Sequence, residues 1–96
     1  MLFKKESVLR HIRRHHPACP DFAAEYFANE VAARRWSDAS LGKAVGIVMQ
    51  TYLRHNMTDY DTLLLMGLNK DAARKRVQPR INAMIAHWSR KRTIDD

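Results

Sequence analysis

Apolar residues recur every three to four positions along nearly the whole chain, and no stretch alternates with period two through β-branched residues. The pattern predicts an all-α fold of about five helices. The first runs from Glu6 to His16, with Val8, Leu9 and Ile12 on its apolar side. "HPACP" ends it, because a residue before proline is pushed out of the α region. Pro20 and Asp21 open the second helix, where Asp21 suits the positive end of the dipole. Its expected buried stripe is Phe22, Ala23, Tyr26, Phe27 and Val31. "RRWSDAS" is a connector in which Ser37 or Ser40 can cap the next helix. That third helix spans about Leu41 to His55 and buries Leu41, Ala44, Val45, Val48, Met49 and Tyr52. Gly42 and Gly46 lower its intrinsic propensity by about 1 kcal/mol each relative to Ala. Their spacing of four suggests close helix packing.

"RHNMTDYDTLLLMG", from Arg54 to Gly67, crowds polar groups into a short span before an apolar run. Thr58 is a good N-cap, and Asp61 three residues on resembles a capping box with Asp in place of Glu or Gln. A short fourth helix follows, about Asp59 to Met66, and Gly67 is a natural residue to close it. Asn69 caps the fifth helix. Ala73, Val77, Ile81, Met84, Ile85 and Trp88 give the clearest amphipathic signal in the chain. Pro79 falls inside it and is expected to kink the helix, or to split it near Val77. Helices four and five together read as a helix-turn-helix-like pair, with Leu63, Met66 and Leu68 packed inside. The whole is one helical domain over 1–96, ordered from about 6 to 90, with "SRKRTIDD" running into a frayed tail at 91–96.

Composition and charge narrow the function. Hydrophobic residues make up 46% and charged residues 28% of the 96, which excludes intrinsic disorder. Cys19 is the single cysteine, so an intramolecular disulfide is excluded and a reducing, cytoplasmic setting is expected. No apolar run reaches the roughly 20 residues of a membrane helix, and the first residues do not read as a secretory signal. Net charge is +7. Residues 1–20 carry five basic and one acidic side chain, and residues 69–96 carry eight and three, while the middle is neutral to acidic. Positive ends favour a polyanionic partner.

The motifs also resemble a family. Arg54, His55, Thr58, Tyr60, Asp61, Leu63 and Leu64, then Ala73, Arg74 and Val77, then Trp88, follow an Arg-His-x-x-Thr-x-Tyr-Asp-x-Leu-Leu, Ala-Arg-x-x-Val, Trp order. In this the chain resembles the uncharacterised family known as domain of unknown function twenty-two ninety-three. "HHPACP" is similar to the family's Pro-x-x-Pro lead-in, so the likeness spans about residues 8 to 90. "ARRWSDASLGK" matches only in part the Gly/Arg-rich stretch of many members. The resemblance implies one small helical domain and no particular activity.

Four groups of residues carry candidate chemistry. His55 and Asp61 have the types of a general base and its orienting carboxylate, with Tyr60 beside them. The corner between two helices explains the same residues structurally: Thr58 caps, Asp61 reciprocates or favours the dipole, and His55 bonds across the break. No catalytic residue is assigned; Arg54, His55, Thr58, Tyr60 and Asp61 stand as a structural corner with a possible function. His11 and His15 lie four apart, with His16 and Cys19 near, but the interleaved Arg10, Arg13 and Arg14 repel a cation, and no metal or cofactor is expected. On the fifth helix Lys70, Arg74, Lys75 and Arg80 suit phosphates, with Gln78 or Asn82 for base edges. Trp36 and Phe3 are candidates for a protein contact.

The favoured expectation is a small non-enzymatic protein that binds DNA or RNA through Lys70, Arg74, Lys75 and Arg80, assisted by Arg10, Arg13 and Arg14. A protein-interaction module or small regulator, alone or as a homodimer, is the first rival. A phosphodiester-directed enzyme using His55, Tyr60 and Asp61 is the second.

Overall fold

The computed structural model describes residues 1–90 and folds them into five helices: α1 (Lys5–His15), α2 (Asp21–Ala33), α3 (Leu41–Asn56), α4 (Tyr60–Leu65) and α5 (Lys70–Trp88). No strand occurs among the described residues. The tail expected at 91–96 lies outside them. Local chemistry sets most boundaries. Ser40 Oγ accepts from the Lys43 N–H at 3.2 Å, and Asn69 Oδ1 accepts from the Ala72 N–H at 2.8 Å, so both helices start on side-chain caps. Gly67 closes α4 at φ +100°. The Gly67 N–H bonds the Leu64 carbonyl and the Leu68 N–H bonds the Leu63 carbonyl, both at 3.0 Å, which is a Schellman closure. Pro79 does not split α5, which continues through it. The proline leaves the Lys75 carbonyl without its helical donor, and Lys75 is exposed, so water can serve it.

The core is double. One cluster joins Val8 and Ile12 of α1, Cys19, the Ala23–Ala24–Phe27–Ala28–Val31 seam of α2 and Ala44, Val45, Val48 and Met49 of α3. The other joins Leu53, Tyr60, Ala73, Val77 and Ile81. Tyr52 and Trp88 pack against both. Phe27 meets Tyr52 edge-on at 5.4 Å and Trp88 at 5.9 Å, so aromatic rings form the seam between the two clusters. The result is a slab of 40 × 39 × 19 Å. Its radius of gyration, 14.5 Å, exceeds the roughly 12 Å of a compact chain this long.

The buried stripe of α2 differs from the expected one. Phe22 is 74% and Tyr26 45% exposed, while Ala24 and Ala28 are buried. The small residues let α2 pack closely on both α1 and α3, a contact that a face led by Phe22 and Tyr26 would hold apart. Of the three residues expected inside the α4–α5 pair, Leu63 and Leu68 pack there, while Met66 is 76% exposed and Leu64 takes its place. Leu53, absent from the expected stripe of α3, is fully buried. The two glycines of α3 do not mediate close packing: a Cβ at Gly46 meets nothing within 4 Å, and one at Gly42 meets only the His11 ring at 3.6 Å.

Trp36 and Phe3 both pack on the first cluster. Trp36 Nε1 donates to the Val31 carbonyl at 2.9 Å, and its backbone pairs with Met1. It is a cover for the core. No helix among the described residues is long and apolar enough to cross a membrane.

Candidate functional site

The buried positions of α3 fix what its opposite face shows. Lys43, Ile47, Gln50 and Arg54 recur at i, i+4, i+7 and i+11, so they line up along one side of the helix. α1 and α5 each pack against α3. Between α3 and α5 this stripe becomes one wall of an open groove of about 500 Å³, completed by Gly46, Thr51 and Arg74. Three cations from two helices therefore face one groove, and among the described residues no carboxylate lines it. Gly46 contributes no side chain, which keeps the floor between Lys43 and Arg54 low.

Arg54 is the most constrained of the three. Its Nε is buried without a hydrogen-bond partner. Such an unmade bond costs ~1–3 kcal/mol or more in a charged group. Its guanidinium lies over the Tyr60 ring, 5.7 Å from the centroid. Tyr60 is buried, and His55 meets its ring edge-on at 5.3 Å. His55 Nδ1 in turn donates to Asp61 Oδ1 at 2.8 Å. The Thr58 hydroxyl donates to the Arg54 carbonyl and accepts from the Tyr60 N–H. The corner motif is thus a continuous chain of contacts, Asp61 to His55 to Tyr60 to Arg54, whose last member lines the groove. Asp61 does not complete a capping box with Thr58; its carboxylate accepts from His55 instead.

The other cations named from the sequence are exposed but do not share that groove. Lys70 and Lys75 line a depression at the start of α5 with Asn69, Asp71 and Ala72. Arg80 lies with Ala83, Met84, His87 and Trp88. Arg10 and Arg13 flank Glu6 and Leu9 on α1, and Arg14 points to solvent. Of the residues picked out for phosphates, Arg74 alone meets Arg54. Among the described residues ion pairs join Lys5 to Glu25 and His55 to Asp61, and neither takes a cation of α5 or of the groove. Gln78 donates to Gln50 at 3.2 Å and to Asn82 at 2.8 Å, which ties both proposed base readers into the α3–α5 contact.

Lys43, Gln50 and Thr51 went unread in the sequence. The signal was there as the complement of the buried Ala44, Val45, Val48 and Met49, but only the packing of α5 turns that face into a groove.

The histidines of α1 form a second polar cluster. His11 and His15 rings lie 4.5 Å apart, and His16 Nδ1 is 3.3 Å from Ser89 Oγ. Burial, then the neighbouring His15, lowers the pKa of His11; burial, then His11 and His15, lowers that of His16. Among the described residues no group of three His, Cys, Asp or Glu is placed to hold a metal ion. His55 lines a small hollow with Tyr26, Glu30, Arg34, Thr51 and Tyr52; it does not line the groove that Arg54 faces, although Thr51 borders both.

No curated protein and no solved structure matches the chain. A family model does: the one described as Uncharacterized conserved protein (DUF2293) covers residues 11–89, and the chain, with its helical corner and the groove beside it, belongs to that family.

Proposed function

We propose that this protein binds nucleic acid through backbone phosphates and performs no reaction on it. The observation that carries the reading is the groove: Lys43, Arg54 and Arg74 converge from two helices on one open channel that no carboxylate among the described residues lines. Lys70, Lys75 and Arg80 around α5, and Arg10, Arg13 and Arg14 on α1, are exposed and add positive charge outside the groove. Phosphate contacts of this kind position a polynucleotide without reading its bases. Gln78 is engaged with Gln50 and with Asn82, which draws both candidate base readers into contacts within the protein. Binding is therefore sequence-independent and strongly salt-dependent, with a log–log slope of about −0.9 per phosphate contacted on duplex DNA. His55 is not among the residues that line the groove, and it gives its Nδ1 proton to Asp61 rather than to a group in the groove.

Electrophoretic shift of DNA and RNA of unrelated sequence, titrated with salt, tests this. Binding at low salt that falls steeply with salt is expected, and Arg74→Ala and Lys43→Ala should each flatten the slope by about 0.9. No shift at low salt would remove the reading.

One observation favours the protein-interaction rival: Leu65 is 89% and Met66 76% exposed, side by side at the end of α4. Under the preferred reading, Leu65→Lys with Met66→Lys leaves the shift intact. Under the rival, it abolishes capture of a protein partner or self-association.

A further inference from the structure

We infer that the α3–α5 groove contains a discrete site for a single phosphoryl group, organised by Arg54, within the broader basic surface. The inference rests on the nucleic-acid reading of this groove and names the chemical unit that the groove takes. Three features support a built site rather than a diffuse patch. Arg54 is held by its stack on Tyr60, whose other neighbour His55 is itself fixed by Asp61, so the guanidinium is pre-oriented before any ligand arrives. Its Nε–H is buried with no acceptor. The Nε side of the guanidinium is closed to a water-sized group, so a phosphoryl group is taken end-on by the two terminal nitrogens, in the bidentate geometry that guanidinium favours. Lys43 and Arg74 bring charge from two sides, and Gln50 and Thr51 offer neutral polar groups along the same wall.

The Nε–Hε resonance of Arg54 in nitrogen–proton correlation spectra of the full chain tests this directly. The probes are inorganic phosphate, a thymidine dinucleotide with one phosphodiester, and sodium chloride at matched ionic strength. We expect a saturable shift of that resonance with at least one phosphorus-bearing probe and none with chloride. Arg54→Lys keeps the charge but loses the fork, and should weaken binding at least tenfold, followed through the Gln50 and Thr51 resonances. Should it fail to fold, Lys43→Ala and Arg74→Ala decide, each weakening binding at least fivefold. Arg76→Ala removes a charge from α5 outside the groove and should change the affinity less than twofold. Saturation by phosphate alone assigns a free phosphate or monoester, and saturation by the dinucleotide a polynucleotide source; both uphold the site. Equal shifts with chloride, or equal losses in Arg76→Ala, overturn it. Nucleic-acid binding that leaves the Arg54 resonance unmoved also overturns it while sparing the broader reading. Phosphate saturation without any polynucleotide shift overturns the broader reading and spares the site.

Discussion

His55 Nδ1 lies 2.8 Å from Asp61 Oδ1, joining the last turn of α3 to the first turn of α4. The two side chains are 45% and 57% exposed. An exposed pair of this kind contributes at most about 1 kcal/mol. Thr58 sits deeper in the corner and makes two bonds, so Thr58→Val should cost about 1–2 kcal/mol. Thermal denaturation of the two variants should show His55→Ala lowering the Tm by less than Thr58→Val does. The reverse order would mean that His55 holds the corner together through contacts beyond Asp61.

Glycine substitutions should separate backbone strain from space. Gly67 adopts φ +100°, and a Cβ there meets nothing within 4 Å. Gly67→Ala should therefore destabilise by about 1–2 kcal/mol through conformation alone. Gly46 is helical with equally open surroundings, so Gly46→Ala should stabilise by about 0.5–1 kcal/mol. Urea unfolding measures both, and shifts of the same sign would contradict the assignment.

These glycines also show what the sequence alone could and could not say. Gly67, Ser40 and Asn69 were legible because their roles are local: a cap or a left-handed closure is decided within four residues. The five helices were legible for the same reason. Phe22, Tyr26 and Met66 misled because apolar character says which residues can be buried, whereas the neighbours decide which are. Alanines at 24 and 28 won the α2 interface by being small. The candidate groove lay furthest from reach. Lys43 and Arg74 belong to helices whose relative rotation is set by tertiary contacts, and the contact of Arg54 with Tyr60 joins α3 to α4 across the corner.

Pro79 offers a gain of stability. It denies the Lys75 carbonyl a donor in the interior of α5 without interrupting the helix. Pro79→Ala should restore that bond and raise stability by about 1–3 kcal/mol. A lower Tm in Pro79→Ala would show that the proline is required for the rotation of the last turns, where Trp88 joins the two clusters.

Acid should weaken the fold through α1. His11 and His16 hold their protons less tightly than an ordinary imidazole, chiefly because they are partly buried. Unfolded, they titrate near 6.5. As pH falls through that value the unfolded state takes up protons first, so stability falls until the pH has passed below the folded values. Above about pH 7 both states are neutral at these rings and the contribution is flat. The urea midpoint should be lower at pH 5.5 than at 7.5, and the double substitution His11→Gln, His16→Gln should shrink that difference. A midpoint unchanged or higher at pH 5.5 would refute the assignment.

The double core has a consequence for how the protein breathes. A slab 19 Å thick leaves each cluster only one helix away from water. With Tyr52 and Trp88 as the shared aromatic residues, α4 and α5 can open as a sub-global unit while the α1–α3 cluster stays closed. Backbone amides of α5 should then exchange with solvent faster than those of α2. An anion clasped between Arg54 and Arg74 bridges the helices that must part for this opening. Ligand binding would therefore be recorded as slowed amide exchange along α5, far beyond the residues that touch it.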